Sequence, residues 1–420
     1  MSGPRFLSVW IVLLVLLVIR FSFVFGTPSP YKPGETVSLT GTLHQDPQIN
    51  GNTQRFQVNG VRVVTTSFPR YQYGNTLRIV GKIGEQALTS KRQIPTVYFP
   101  KIEAKKTGSG LALIGVVRQH ISKTIEQFLP GSLAALLSGI LLGGNISFSD
   151  NFFDALRSTG TLHVVAASGM NVSILAAFLM AIFIRIVPRH IAALFVVAGI
   201  FFYAGLASFQ PSIVRASAMG ILVFSASILN RGTLAILGLV LACYTMLLFD
   251  PQMLFDIGFQ LSVAATAGLL FLKPLIATKW DWFKKLETFP VAGDSFTTTV
   301  VAQTATLPIL LSNFGTVSLL SIPVNTLVLW TVQPIMVLGI AAAIASPLPL
   351  LSALPLMAAL PLLSFFEWVV LAFNKPQFLL SFQVPFIAAV GYYLMLIGGY
   401  LFLVKKSEAR STKSETNSND

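Results

Sequence analysis

The chain runs to 420 residues, of which 54% are hydrophobic and only 11% charged, less than half the roughly 25% charged residues usual in a soluble domain. A water-soluble globule is excluded, and most of the length reads as membrane protein. The formal net charge of +13 is crowded into the few polar stretches, which points to cytoplasmic loops, anionic lipid headgroups or a polyanion such as nucleic acid.

Residues 1–26 contain the first apolar run, from Phe6 to Phe25, interrupted by Arg20 and two serines. No small-residue cleavage site precedes Thr27, so the run reads as an uncleaved N-terminal membrane anchor helix, with Arg20 snorkelling to the headgroups. Residues 27–110 then switch to short alternating strands separated by turn residues. Glu35–Leu43, Arg55–Val58, Val61–Val64, Thr76–Ile83 and Ile94–Phe99 supply five strands, and Asn59-Gly60 marks a two-residue hairpin. This predicts a small all-β OB-like extracytoplasmic domain, with a plain small sandwich as the alternative. Eleven Lys and Arg stand there against four Asp and Glu, with aromatic residues interleaved. Arg55, Arg62, Arg78, Lys82, Tyr71 and Tyr73 are the candidate DNA-binding residues, cations for phosphates and rings for stacking on bases. The same pattern fits rings in a core and cations that only solvate the surface.

Residues 111–160 read as an amphipathic or re-entrant segment. Leu133–Leu142 is apolar but too short to span, Gly143-Gly144-Asn145 breaks it, and Ser147–Arg157 is amphipathic with Ser149 placed to cap it. Across 161–404, apolar runs fall at 162–184, 190–206, 212–229, 232–249, 254–272, 295–312, 318–344, 350–373 and 384–404. With the anchor they predict a polytopic α-helical integral membrane protein of about ten spans. Arg185 and Arg189, then Arg231, then Lys273 to Lys285, then Lys405 to Lys413 fall in every second connection. That alternation predicts both termini cytoplasmic and the β domain outside, and residues 405–420 read as a disordered cytoplasmic tail.

Cys243 is the single cysteine, and His44, His120, His163 and His190 lack metal-ligand spacing, so no disulfide, metal or cofactor is expected. No GxxxxGK[ST] phosphate loop exists to drive transport with ATP. Polar groups inside spans are costly and usually face a bundle interior or a water-filled path. Arg215, Asp256, Gln260, Gln303 and Asn325 are such groups. Arg215 can contact phosphate or pair with Asp256, while Asp256 at a span end can instead cap its helix. His163, Ser168, Gly169 and Asn171 are expected to line a constriction.

Several of these residues lie in a recognisable order. Leu137–Gly143 (LSGILLG), Phe153–Gly160 and residues 161–172 (TLHVVAASGMNV) resemble the signature of the ComEC competence-protein family. Pro211–Ala216 resembles its PxxxRA block, and Asp250-Pro251 with Asp256–Ser262 resembles its DP and DxGFQLS block. Gln303 to Pro308, Phe314–Ser318 and Ile322–Asn325 complete the series. The resemblance implies a DNA-uptake channel of natural transformation, not an enzyme, passing a single strand of DNA across the cytoplasmic membrane. It also implies a cytoplasmic translocase ATPase, a DNA receptor and a separate nuclease as partners, because no HxHxDH motif of a metallo-β-lactamase-like domain is present. Membrane lipid surrounds it, and one chain or a homodimer encloses the pore. The alternative is a secondary transporter or flippase. An intramembrane serine protease built on Ala166-Ala167-Ser168-Gly169 is weaker, because no later span supplies a histidine base.

Overall fold

The computed structural model describes residues 4–26, 31, 34–84, 95–105, 110–143, 148–165, 169–228, 235–279, 285, 292–375, 379–382 and 384–416. Helix α1 spans Pro4–Gly26. The β domain follows with β1 (Thr36–Thr42), β2 (Gln48–Asn50), β3 (Thr53–Val58), β4 (Val61–Thr66), β5 (Thr76–Lys82), β6 (Thr96–Tyr98) and β7 (Lys101–Lys105). They form two sheets, ordered β1-β5-β7 and β2-β3-β4-β6, with β4 and β6 parallel and the other pairs antiparallel. Alternation buries Val37, Leu39, Phe56, Val63, Leu77 and Val97 in one core shared by both sheets.

Seven strands replace the expected five. Gly51, at φ 56°, lets Gln48–Asn50 fold back onto β3. The last expected strand forms as β6, and beyond it the chain turns at Phe99, at φ 47°, into a further strand, so that β6 pairs with β4 and β7 with β5. The Asn59-Gly60 hairpin forms where the dipeptide predicts it, both residues at positive φ.

The helical part comprises α2 (Gly110–Phe128), α3 (Gly131–Leu142), α4 (Asp150–Ser158), α5 (Leu162–Val165), α6 (Gly169–Phe183), α7 (Arg189–Leu206), α8 (Pro211–Ile228) and α9 (Ala235–Phe249). It continues with α10 (Ile257–Ala267), α11 (Lys273–Lys279), α12 (Ala292–Phe314), α13 (Ser321–Ala345), α14 (Pro349–Ala372) and α15 (Phe386–Thr416). A small ribbon, β8 (Thr316–Ser318) with β9 (Leu379–Ser381), closes the end of α12. Helices lie at all ten expected spans. Five stretches are long and apolar enough to cross a membrane: Leu162–Phe183, Arg189–Leu206, Ile257–Ala277, Ser321–Ala345 and Pro349–Ala372. The apolar parts of α1, α8, α9 and α15 are shorter, and α12 is interrupted by threonines. Residues 405–416, expected to be disordered, continue α15 as helix, consistent with the Lys, Glu, Ala and Arg found there.

Backbone groups freed inside the apolar bundle find side-chain partners, as an environment without water requires. Helix α3 is apolar all round and almost wholly buried, and Gly339 of α13 lets Leu137 approach so closely that a Cβ there would lie 3.1 Å from Leu137 Cδ1. Ser149 occupies the N-cap position of α4, but its side chain makes no capping bond, contrary to expectation. Arg20 donates to the carbonyls of Leu248 and Phe249 at 3.0 and 3.2 Å, filling the end of α9 rather than reaching for headgroups. Pro308 cannot donate to the carbonyl of Thr304 inside α12, and Tyr392 Oη donates to that oxygen at 3.0 Å. Tyr393 Oη donates to the next carbonyl, Ala305, at 2.9 Å.

The β domain is seated directly on α2. A Cβ on Gly115 would stand 2.7 Å from Tyr73 O, and one on Gly74, at φ 82°, 2.7 Å from Leu111 O. Arg118 completes the joint. It bonds Asp46 Oδ2 at 2.7 Å and the carbonyl of Gly143 at 2.8 Å, and it also donates to Ser208 Oγ. Gly115→Val should therefore separate the backbones, lower the unfolding midpoint in detergent by an amount corresponding to about 1–3 kcal/mol, and expose the α2 connection to limited proteolysis.

Candidate functional site

The turn ahead of α8 is tight, with Ser208 and Phe209 both at positive φ, and it delivers Arg215 one turn into the helix. Arg215 is 6% exposed. One guanidinium nitrogen donates to Thr266 Oγ1 of α10. The other terminal nitrogen lies over the start of α6, where a Cβ on Gly169 would come within 3.4 Å of it. Cys243 of α9 is near enough to feel its charge. The side chain therefore sits where α6, α8, α9 and α10 meet. Its Nε has no hydrogen-bond partner, and no carboxylate among the described residues forms an ion pair with it. A buried cation held without a counter-ion is costly, and such groups mark polar paths in membrane proteins. Directly after Thr266 the helix widens into a π-helical turn over Gly268–Leu272, a distortion frequent at functional sites.

The expected Arg215–Asp256 pair does not form. Asp256 is the N-cap of α10, its Oδ1 accepting from the Phe259 N–H at 2.7 Å. Asp250 caps the preceding 3₁₀ turn through the Gln252 N–H at 2.9 Å. Gln260 donates to the Leu254 carbonyl at 2.9 Å and braces the same corner. The two aspartates thus shape a double bend and leave the Arg215 charge uncompensated.

The residues expected around a constriction separate. Asn171 is fully buried and donates through Nδ2 to the Ile140 carbonyl at 2.6 Å, filling an open acceptor near the end of α3. It ties α3 and α6 together. His163 is exposed, with Nδ1 3.0 Å from the Gly160 carbonyl. Gly169 packs against α8 as described, and Ser168 lies outside the described residues.

A second polar cluster joins the α4–α5 turn to the start of α13. Ser318 Oγ donates to Ser158 O at 2.5 Å, and Ser158 Oγ to Asn374 Oδ1 at 2.7 Å. Ser321 Oγ donates to Gln303 Oε1 at 2.6 Å. Gly160, at φ 70°, is held so close that a Cβ would lie 2.8 Å from Ser321 Cβ. Asn325 is buried, and its Oδ1 accepts no hydrogen bond. Thr266, Ser158, Ser318 and Ser321 escaped sequence reasoning; a hydroxyl in an apolar helix gives no signal beyond interrupting the run.

On the β domain the expected DNA-binding residues fall on three surfaces. Arg55 and Arg62 point outward from the β2-β3-β4-β6 sheet. Arg78 and Lys82 point outward from the β1-β5-β7 sheet, Arg78 lying opposite Glu103. Since the core lies between the sheets, the two cation pairs face away from each other. Tyr71 packs edge-on against Phe56, with ring centroids 5.8 Å apart. Tyr73, 2% exposed, lies under Arg118, whose guanidinium carbon is 5.8 Å from its ring centroid. Both tyrosines lie in the connection between β4 and β5 and serve packing, Tyr71 against the core between the sheets and Tyr73 against Arg118 of α2. Burial pushes the Tyr73 phenol above its ordinary range, Arg118 lowering and Asp46 raising it further, so it stays protonated at neutral pH. The exposed rings are Phe68, Tyr98 and Phe99. They cluster where the parallel strands β4 and β6 end, and Arg70 lies over Phe68 at 5.6 Å.

These assignments separate under mutation. Asp256→Asn should retain the cap and near-wild-type stability, whereas Asp256→Ala should lose about 1 kcal/mol, both read from thermal unfolding in detergent. An ionic role would make the two variants equally damaging.

A family profile described as Competence protein matches residues 140–406, well over half of the chain. The match takes in Asn171, Arg215, Asp256, Gln303 and Asn325. ComE operon protein 3 of Bacillus subtilis (strain 168) is 29% identical over 212 residues, covering 50% of this chain and 26% of that protein. The chain thus aligns with about a quarter of the length of that relative. No solved structure matches. With residues 140–406 matched to that profile, the chain belongs to the competence protein family.

Proposed function

We propose that the protein is the membrane channel of natural transformation, conducting a single strand of DNA across the bacterial cytoplasmic membrane. The family match over residues 140–406 carries this reading. The buried Arg215, without a carboxylate partner, supports it from the geometry: an unpaired guanidinium suits a polyanion that passes and does not stay. The chemistry is translocation, with no bond made or broken by the chain.

In this reading all ten helices at the expected spans cross the membrane and both termini lie in the cytoplasm. The β domain, OB-like in this reading, stands outside and gathers DNA through outward arginines and exposed rings. A cytoplasmic translocase ATPase supplies the pull, and a DNA receptor delivers the strand.

The experiment is uptake of labelled double-stranded DNA into a nuclease-protected cytoplasmic pool, in a competent host deleted for the gene and complemented. Wild type should restore the pool. Arg215→Ala, at normal abundance, should lower it by roughly tenfold or more, since removing one charge-assisted contact is worth on the order of 1.5–3 kcal/mol. Arg215→Lys should recover only part, because Lys lacks the planar fork. Full uptake in the deletion strain overturns the channel reading; full uptake with Arg215→Ala removes Arg215 from the path.

A further inference from the structure

Helices α10 and α11 are two parts of one continuous rod, and that rod holds a residue too many. The Lys273 N–H donates to Gly268 O, five positions back instead of four, and the turn over Gly268–Leu272 is π-helical. Its cause lies in the sequence: Pro274 has no N–H, and its ring would collide with the Leu270 carbonyl in an ordinary α-helix. Both ends of the rod are fastened. Asp256 caps the start, and Lys273 Nζ donates to Thr298 Oγ1 of α12 at 2.9 Å. Between fixed ends the extra residue stays in the rod, and what can change is where the wide turn sits.

The wide turn begins two residues after the partner of Arg215. Arg215 donates to Thr266 Oγ1, whose own proton goes to Ser262 O at 2.9 Å. Buried as it is, the guanidinium is stowed away from any passing phosphate. Thr266 stands among alanines, with Ala264, Ala265 and Ala267 as its neighbours. Were the wide turn to move upstream past Thr266, that stretch would advance by one residue, a rotation of about 100° and a shift of about 1.5 Å. An alanine would then face Arg215, and its side chain accepts no hydrogen bond.

We propose that Thr266 is a latch that holds Arg215 in the closed state of the channel, and that movement of the π-helical turn along the rod releases the guanidinium toward the strand. Thr266 is a positioning residue, touching the guanidinium and not the DNA. The two registers keep the same end contacts and differ in what faces Arg215, a hydroxyl or a methyl group, which is the differential contact a two-state element requires. The proposal rests on the DNA-channel reading and adds to it the event that exposes the charge.

The test uses the full chain in nanodiscs, where Cys243 reports the release by its rate of alkylation with a water-soluble maleimide. It is the single cysteine, half-buried and close to Arg215. Thr266→Val removes the hydroxyl at nearly constant shape and should speed alkylation about tenfold. Thr266→Ser keeps the hydroxyl and should keep the wild-type rate. Deleting Leu270 together with Pro274→Ala takes out both the extra residue and its cause, which locks Thr266 against Arg215. In a competent host the locked variant, at normal abundance, should lower the nuclease-protected DNA pool toward that of the gene-deleted strain. Thermal unfolding checks that each variant is folded, and should the deletion fail to fold, the two threonine variants decide. Equal alkylation rates for Thr266→Val and wild type overturn the latch, as does a Thr266→Ser rate as fast as that of Thr266→Val. Wild-type uptake by the locked variant overturns the moving turn. In each of these cases a gene-deleted strain without uptake leaves the channel reading standing, whereas full uptake in that strain overturns both.

Discussion

One guanidinium, that of Arg118, holds the molecule's two parts in register. Its planar fork meets a carboxylate of the β domain, the carbonyl that ends α3 and the hydroxyl in the turn between α7 and α8. Lysine carries one point charge and could not satisfy three partners in three directions. The close approach of Gly74 and Gly115 to opposing backbone supplies the surface on which that fork acts. Because Arg118 sits at 12% exposure and Asp46 at 22%, their bond is partly shielded from water and holds more firmly than an exposed pair.

The same economy recurs through the bundle. Asn171 fills a carbonyl of α3, Arg20 two of α9, Asp256 an amide of α10, and the paired tyrosines two acceptors beside Pro308. Each of these polar side chains in an apolar setting is explained by a backbone group it satisfies, as lipid surroundings demand. Among the described residues that keep an unpartnered buried atom, Arg215 is the charged one. It serves a threonine hydroxyl and leaves a donor empty, which is why its role is sought in what passes it.

The membrane character, the helix positions and the β domain were legible in the sequence because hydropathy and alternation are averaged over many residues. Positions of single side chains were less so. Asp256 and Gln260, four apart on one helix face, looked like a path lining, but the aspartate at the first position of a helix found the nearest amide. Tyr71 and Tyr73 looked like stacking rings because cations flank them in sequence, but the connection between β4 and β5 folds them against the core and against Arg118 of α2. The reading that set rings in the core against rings on the surface was divided correctly only by the fold: Phe68, Tyr98 and Phe99 lie where strands end and the inward–outward rule lapses.

Helix α12 has a consequence for how the protein is made. Its proline leaves a carbonyl that only α15 fills, through Tyr392, with Tyr393 engaging the neighbour. Chains emerge from the ribosome N-terminus first, so α12 is in place before the residues that complete it have been synthesised. Until α15 arrives, α12 keeps an unmet polar group at a packed surface. Docking of α15 closes that gap, so the backbone of α12 is completed by a side chain 88 positions further along the sequence, and the two helices must be brought together before either is fully satisfied.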